Sequence, residues 1–361
     1  MASGGIISIP SDIITEILYR LPSKSVGRFR CVSKDWLSLL TSPQFIKIHE
    51  TTLNQSHIIY QVNSSIIPYL IPFHQFEEEE ALPVEFHLKL PYFTPVVYGS
   101  CNGLVLMSYH HDDFVPDMLV ISNPTTREYV ELPKCDYGSG IMFGWYRIGF
   151  FYDAESNDYK VATICRVHRS SNIHTICIYV DVYSLGTNTW TRVTDYPYKH
   201  RWTSKPGGLV NGFLHWIIKG FNDLPILVAF CLANEKSSEV SLPNDLDILF
   251  KYHVSELVNF DGKLAIFVEG EIWLMKEYGV KESWTKITLH GLDETPISIN
   301  ELRIFNYNEK ILLVGDNQML MYDIEEGKLC KHMYASRNIG DLKVRAMCVE
   351  SLVSLKSSGT S

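Results

Sequence analysis

Asn-Gly and Asp-Gly pairs recur in this chain at a spacing few folds can use. They stand at Asn102-Gly103, Asn211-Gly212 and Asp261-Gly262, each inside a short apolar run: CNGLVLMS, VNGFLHWII and FDGKLAIFV. YNEKILLVG, from Tyr307, occupies the same place without the glycine. A two-residue turn between antiparallel strands needs positive φ at both central positions, and Asn or Asp followed by Gly adopts it at least cost. These runs precede most copies of a second unit made of a strand, a polar turn and another strand. These units begin at Leu119 (LVISNPTTREYVELP), Tyr179 (YVDVYSLGTNTWTRV), Ile226 (ILVAFCLANEKSSEVSLP), Glu271 (EIWLMKEYGVKESWTKITL) and Gln318 (QMLMYDIEEGKLCKHM). Aligning Ile121, Val182, Ala229, Leu274 and Leu320 gives steps of 61, 47, 45 and 46 residues. A strand-built repeat of about 40–50 residues is the period of a β-propeller blade.

Five such units are readable, and the long first step implies a blade with an extended loop. Strand-like pieces also occur at both ends of the region: HIIYQV and VEFHLKL within residues 57–95, and VRAMCVESLVSL from Val344 to Leu355. Pairing the first and last pieces would complete a sixth blade and leave no free sheet edge. The count therefore reads as six, with seven the alternative. Paired glycines of the kelch type are mostly missing, Gly207-Gly208 being the lone pair in the strand region, so the propeller is a divergent one.

The first fifty residues have a different period. Ile13, Ile14, Ile17, Leu18 and Leu21 repeat at helical steps behind Pro10, with Asp12 and Glu16 toward the positive end, and Pro22 ends the run. Val26, Phe29, Val32, Trp36 and Leu39 or Leu40 form a second series among Lys24, Arg28, Arg30 and Lys34. Ser33 is placed to cap a third helix containing Trp36, with a joint at Cys31-Val32. Ser42-Pro43 stops that run, and Phe45, Ile46 and Ile48 add a short apolar patch. The expected architecture is α+β and multidomain: three helices over residues 5–50, an all-β propeller over 57–355, and a disordered tail at 356–361. So small a helical unit buries little surface alone, which makes it either a cap on the propeller or a module with a partner.

Composition excludes several classes. A net charge of −9 argues against a nucleic-acid binder, which needs a basic face, and against attraction to anionic membranes. No segment approaches the length of a membrane span, and Met1 to Ile9 lacks a basic leader. Eight cysteines are scattered without C-x-x-C pairs, as buried free thiols of a reducing compartment would be, so the expected setting is cytoplasm or nucleus.

The N-terminal residues carry a resemblance. Ile9-Pro10-Ser11-Asp12-Ile13-Ile14, Glu16-Ile17-Leu18, Leu21-Pro22 and Lys24-Ser25-Val26, followed by Arg28-Phe29-Arg30-Cys31-Val32-Ser33-Lys34 and Trp36, resemble an F-box. The strand region is similar to the domain that follows F-boxes in plant F-box/kelch-type proteins, related to S-locus F-box-like proteins. The residues that carry this are Ser100-Cys101-Asn102-Gly103-Leu104, Asn123-Pro124-Thr125-Thr126-Arg127, Gly149-Phe150 with Tyr152-Asp153, Asp158-Tyr159-Lys160-Val161, His215-Trp216 and Val349-Glu350-Ser351-Leu352-Val353. The resemblance implies a substrate-recognition subunit of an SCF-type E3 ubiquitin ligase. Its F-box would bind a Skp-family adaptor, and through it cullin and RING subunits, while the propeller holds a protein target for ubiquitination and degradation. It implies no catalysis within the chain and no cofactor. By position, Pro10, Ile13, Ile17, Leu18, Leu21, Pro22, Val26, Phe29, Val32 and Trp36 would fill the adaptor interface or the module's own core.

Target contacts are expected on loops near residues 110–117, 135–146, 166–174, 195–206 and 219–225. There Tyr137, Trp145, Tyr146, Tyr196, Tyr198, Arg201 and Trp202 supply the aromatic and Arg content of interface anchors. The rival function is a ligand-binding or enzymatic propeller with a helical cap, for which Asp153, Asp158, Asp181 and Glu271 are the carboxylates available. His110-His111-Asp112-Asp113 reads as a solvated loop rather than a metal site, since neighbouring strand residues face opposite ways. Glu77 to Glu80 reads as a solvated acidic loop.

Overall fold

The computed structural model describes residues 9–53, 55–62, 68–73, 84–88, 94–110, 118–135, 141–169, 176–193, 201–202, 209–219, 224–231, 234, 236–243, 256–260, 262–268, 270–291, 303–307, 310–315, 318–334 and 342–355. Four helices lead: α1 (Ser11–Tyr19), α2 (Ser23–Phe29), α3 (Lys34–Thr41) and α4 (Pro43–Leu53). The fourth corrects the expectation of three. Ser42-Pro43 does end α3, but the Ser42 hydroxyl also accepts the Phe45 N–H at 3.2 Å and Pro43 takes the first helical position. One dipeptide thus stops one helix and starts the next. Pro10 and Pro22 sit outside α1 and α2 as their cap residues, and Ser33 caps α3 through the Trp36 N–H at 3.1 Å. The helices run to Leu53, slightly beyond the boundary read from sequence.

Among the described residues twenty-five strands follow, arranged in six antiparallel sheets. Blade I joins β25 (Leu342–Val349) to β1 (Ser56–Val62), β2 (Pro68–Pro72) and β3 (Val84–Glu85). Blade II is β4 (Thr94–Cys101), β5 (Leu104–His110), β6 (Met118–Asn123) and β7 (Glu128–Glu131). Blade III is β8 (Ile141–Asp153), β9 (Asp158–Arg169), β10 (Ile176–Ser184) and β11 (Thr189–Val193). Blade IV has a divided inner strand, β12 (Arg201–Trp202) and β13 (Leu209–Val210), then β14 (Phe213–Lys219), β15 (Pro225–Cys231) and β16 (Ser237–Val240). Blade V is β17 (Glu256–Phe260), β18 (Lys263–Val268), β19 (Glu271–Met275) and β20 (Trp284–Thr288). Blade VI is β21 (Arg303–Tyr307), β22 (Lys310–Gly315), β23 (Gln318–Asp323) and β24 (Lys328–Tyr334).

The five residues aligned by the repeat all lie on the third strand of their blade: β6, β10, β15, β19 and β23. The hairpin turns behave as their sequences require. Asn102 and Gly103 have φ of 46° and 76°, Asn211 and Gly212 51° and 76°. The long first step has another cause than the extended loop expected. Blade III spends the extra length on strands, β8 and β9 being 13 and 12 residues long.

Successive side chains of a strand point to opposite faces, and in a ring each face meets a different neighbour. Ile58 packs toward blade VI and Ile59 toward blade II. Leu104 and Leu106 face blade III, whereas Val105 and Met107 face blade I. One apolar cluster fills each of the six junctions between neighbouring blades. Strands buried on both sides need apolar residues at every position, hence runs such as LVLM and LAIFV. The ring closes where C-terminal β25 pairs with N-terminal β1, from Ser56 opposite Val349 to Val62 opposite Leu342. The proposed disordered tail, 356–361, and the acidic run at Glu77 lie outside the described residues.

Chain direction sorts the strand ends. The turns at 102–103, 124–127, 154–157, 185–188 and 211–212 lie on one face of the ring, where α4 feeds into β1. The ends of β5, β9 and β14 (His110, Arg169, Lys219) and the starts of the inner strands β4, β8 and β12 (Thr94, Ile141, Arg201) lie on the other.

Candidate functional site

The helical module sorts its apolar residues into an inside and an outside. Leu18, Val26, Leu40 and Phe45 are at most 1% exposed and form its core, with Leu21, Phe29 and Trp36 partly buried against them. The Phe29 and Trp36 rings meet edge to face at 5.5 Å, and Tyr19 stacks on Phe45 at 4.8 Å. Ile13, Ile17 and Val32 are outside, 49%, 50% and 61% exposed, with Pro10 and Pro22 exposed beside them. Ile9 and Leu37 join this set. Neither stands out in the sequence, because Ile9 precedes the first helical turn and Leu37 adjoins the more conspicuous Trp36. Of the ten residues that sequence placed in the interface or the core, Leu18 and Val26 are therefore core, Leu21, Phe29 and Trp36 lie at its margin, and Pro10, Ile13, Ile17, Pro22 and Val32 face outward.

The module is seated on the ring by the C-terminal residues that follow β25. Asn123, fully buried at the end of β6, holds them with a complete set of amide bonds. Its Nδ2 donates to the carbonyls of Ser351 (3.0 Å) and Val353 (2.7 Å), and its Oδ1 accepts the N–H groups of Thr125 (2.8 Å) and Thr126 (3.2 Å). Thr125 Oγ1 accepts the Ser351 N–H at 3.2 Å, and Glu128 accepts the Leu355 N–H at 3.1 Å. From the helical side, Arg30 Nη2 donates to the carbonyls of Leu40 (3.0 Å) and Leu352 (2.6 Å), and the Ser351 hydroxyl donates to Glu50. Burial pushes the Glu50 carboxyl up, with the Ser351 hydroxyl opposing it, and burial lowers the Arg30 pKa against the field of Glu128.

The expected target-facing residues separate into two groups. Tyr137, Tyr196 and Tyr198 lie outside the described residues. Trp145 and Tyr146 are not on a loop: they belong to β8, opposite Arg166 and Cys165 of β9, because the paired strands run on through the segment expected to turn. Arg201 and Trp202 form β12, paired with Lys219 and Ile218. All four belong to inner strands that start on the face turned away from the helices.

The carboxylates available to an enzymatic propeller are each engaged in holding a blade together. Asp153 accepts from Ser156 and Lys160, Asp158 from Ser184 and the Gly186 N–H, and Asp181 pairs with Arg192 at 2.8 Å, while Glu271 pairs with Lys286. Trp190 and Trp284 hold equivalent places. Each indole donates to a carbonyl just beyond the outer strand of the preceding blade, Pro133 at 2.7 Å and Ser241 at 2.8 Å. His215 and Trp216 are buried, His215 Nε2 lying 2.8 Å from the Tyr278 hydroxyl. His110 ends β5, and His111 to Asp113 lie outside the described residues. Among the described residues no cluster of His, Cys, Asp and Glu could hold a metal, and no helix is long and apolar enough to cross a membrane. The thiols are not uniformly buried as expected: Cys165 and Cys348 are, with burial pushing them up to about 11 and about 12, but Cys31 and Cys330 are exposed.

Comparison with known proteins agrees with both parts of this architecture. The model for the F-box domain matches residues 6–48, and that for the F-box associated beta propeller domain matches residues 56–311. Among curated relatives, F-box protein CPR1 of Arabidopsis thaliana is 28% identical, covering 89% of this chain and 83% of its own. F-box protein At3g07870 of the same plant is 31% identical over 78% of this chain and 72% of its own. F-box/kelch-repeat protein At3g23880, also of Arabidopsis thaliana, is 24% identical over 96% of each. With an F-box of four helices seated on a six-bladed ring that its own termini close, the chain belongs to the family of F-box proteins that carry the F-box associated β-propeller domain.

Proposed function

We propose that the chain is the substrate-recognition subunit of an SCF-type E3 ubiquitin ligase. Its F-box docks a Skp-family adaptor, and its propeller holds a protein marked for ubiquitination and degradation. The observation that carries this reading is where the exposed apolar side chains fall. Of eight large hydrophobic residues exposed among the described residues, five (Ile9, Ile13, Ile17, Val32 and Leu37) belong to the F-box. A module whose own core is filled and which still exposes this many aliphatic side chains suits a partner with an apolar groove. The exposed Lys24, Arg28 and Lys34 would favour an acidic rim on that partner.

Catalysis then belongs to other subunits. This chain's contribution is proximity, since holding target and adaptor on one frame raises the local concentration of target lysines. The face opposite the F-box, where the inner strands carrying Trp145, Tyr146, Arg201 and Trp202 begin, is the target-holding end. The ligase would work in the cytoplasm or nucleus.

The test is co-purification of the full chain with a plant Skp-type adaptor, beside a variant carrying Ile17→Asp and Val32→Asp. Wild type should form a stoichiometric complex. The variant should lose it while keeping its helical circular dichroism, because both side chains lie outside the core. A wild type that binds no adaptor, or a variant that binds as well as wild type, sinks the reading.

A further inference from the structure

The F-box core is completed from the far end of the chain. Leu18, Val26, Leu40 and Phe45 pack around Leu352, which is 1% exposed, and Arg30 ties the Leu352 carbonyl to that of Leu40. Leu352 arrives there because Asn123, Thr125 and Glu128 of blade II clamp the residues on either side of it. That clamped segment leaves β25, the strand whose pairing with β1 closes the ring. Gly103 shows how tightly it is seated, since a Cβ there would lie 2.1 Å from the Ser351 Cβ. A helical unit of this size is below the range in which a domain reliably builds a sufficient core of its own.

We propose that folding of the F-box is conditional on the clamped segment that the closed propeller delivers to it, with Leu352 as the residue that couples them. A chain whose ring is open lacks the clamp and leaves a gap among α1, α2, α3 and α4. Arg30 then loses one of the two carbonyls that its Nη2 reaches. The module loosens, and the exposed side chains of Ile13, Ile17 and Val32 lose their fixed positions. An incomplete or damaged receptor therefore presents no competent docking surface, and a ligase is not assembled around a chain unable to hold a target. This last consequence rests on the adaptor-docking reading above; the conditional folding does not.

Hydrogen exchange with mass spectrometry tests it on three proteins: the full chain, Leu352→Ala in the full chain, and a chain ending at Val349 that retains β25. In both altered proteins, peptides from α1 to α4 should exchange about 30-fold faster or more, the expected effect of removing a buried leucine, while β5, β9 and β18 keep wild-type rates. If the shortened chain loses protection throughout, Leu352→Ala decides alone. Wild-type protection of α1 to α4 in Leu352→Ala would overturn the proposal. Adaptor binding measured on the same samples separates the two readings: a wild type that binds no adaptor removes the docking reading and leaves the exchange result standing.

Discussion

Asn123 offers the sharpest test of how the two ends of the chain are joined. Its amide meets two carbonyls, which can only accept, and two backbone N–H groups, which can only donate. The orientation of the amide is fixed by its partners, and no other side chain of the same shape can satisfy all four. Asn123→Ala removes four bonds at a site with no solvent access; at about 1 kcal/mol net per bond the loss is about 4 kcal/mol. Asn123→Asp is nearly isosteric and keeps the two bonds to Thr125 and Thr126, yet it turns an oxygen toward the carbonyls of Ser351 and Val353. If bond count alone mattered, the aspartate would cost about half as much as the alanine. If the donor is what holds the C-terminal segment, the aspartate costs at least as much, because it buries a charge against two partial negative charges. Its carboxyl would have a folded pKa above the unfolded one, so the penalty is present at neutral pH and relieved as pH falls through the folded value, when the protonated acid can donate one bond. Urea unfolding of the full chain, followed at 222 nm for the helices and by tryptophan fluorescence for the ring, reads both effects. Wild-type stability of Asn123→Asp at pH 7, or no gain on acidification, would refute this account.

Three further outcomes follow from the geometry. Gly103→Ala and Gly212→Ala place Cβ at the same φ of +76°, but only the first meets a neighbour, so urea midpoints should show a loss of about 1 kcal/mol at Gly212 and clearly more at Gly103. Trp190→Phe and Trp284→Phe each remove one bond between blades, and thermal unfolding should show losses of about 1 kcal/mol each that add in the double variant, since the two sites share no partner. His49 is buried with Nε2 2.8 Å from the Leu21 carbonyl, and burial holds its pKa below the ordinary value, Arg30 adding to this while the Leu21 carbonyl and Glu350 oppose it. The unfolded histidine takes up its proton first, so the helices should lose stability as pH falls below about 6.5. Glu50, whose raised pKa works in the opposite sense, should moderate the loss at lower pH. His49→Gln should flatten the decline between pH 7.5 and 5.5, and an unchanged slope would show that His49 is not its source.

The repeat made much of this fold legible in advance. Asn-Gly turns, polar four-residue turns and doubly buried strands are local signals, each written within about ten residues. They placed the third strand of five blades at Ile121, Val182, Ala229, Leu274 and Leu320 and foresaw closure by the two ends. The F-box was likewise readable, because its helices are punctuated by Pro10, Pro22, Ser33 and Ser42-Pro43. Sequence and structure part where a local signal has two meanings. Ser42-Pro43 is a stop and a start, and residues 141–146 are aromatic enough for a loop anchor and for a strand.

What the sequence by itself determined is the order of the parts, the period of the ring and the pattern of apolar positions, because backbone turns and side-chain periodicity are set by near neighbours. What only the tertiary structure decided is which of those apolar positions face inward. Ile13, Ile17 and Leu18 read alike in a helical repeat, yet Leu18 is buried and the two isoleucines are half exposed, since the packing of α4 and Leu352 chooses the face. Leu352 lies more than 300 residues from the helices it completes. A contact of that separation leaves no trace in any local pattern, because it exists only once the ring has brought the two ends of the chain together.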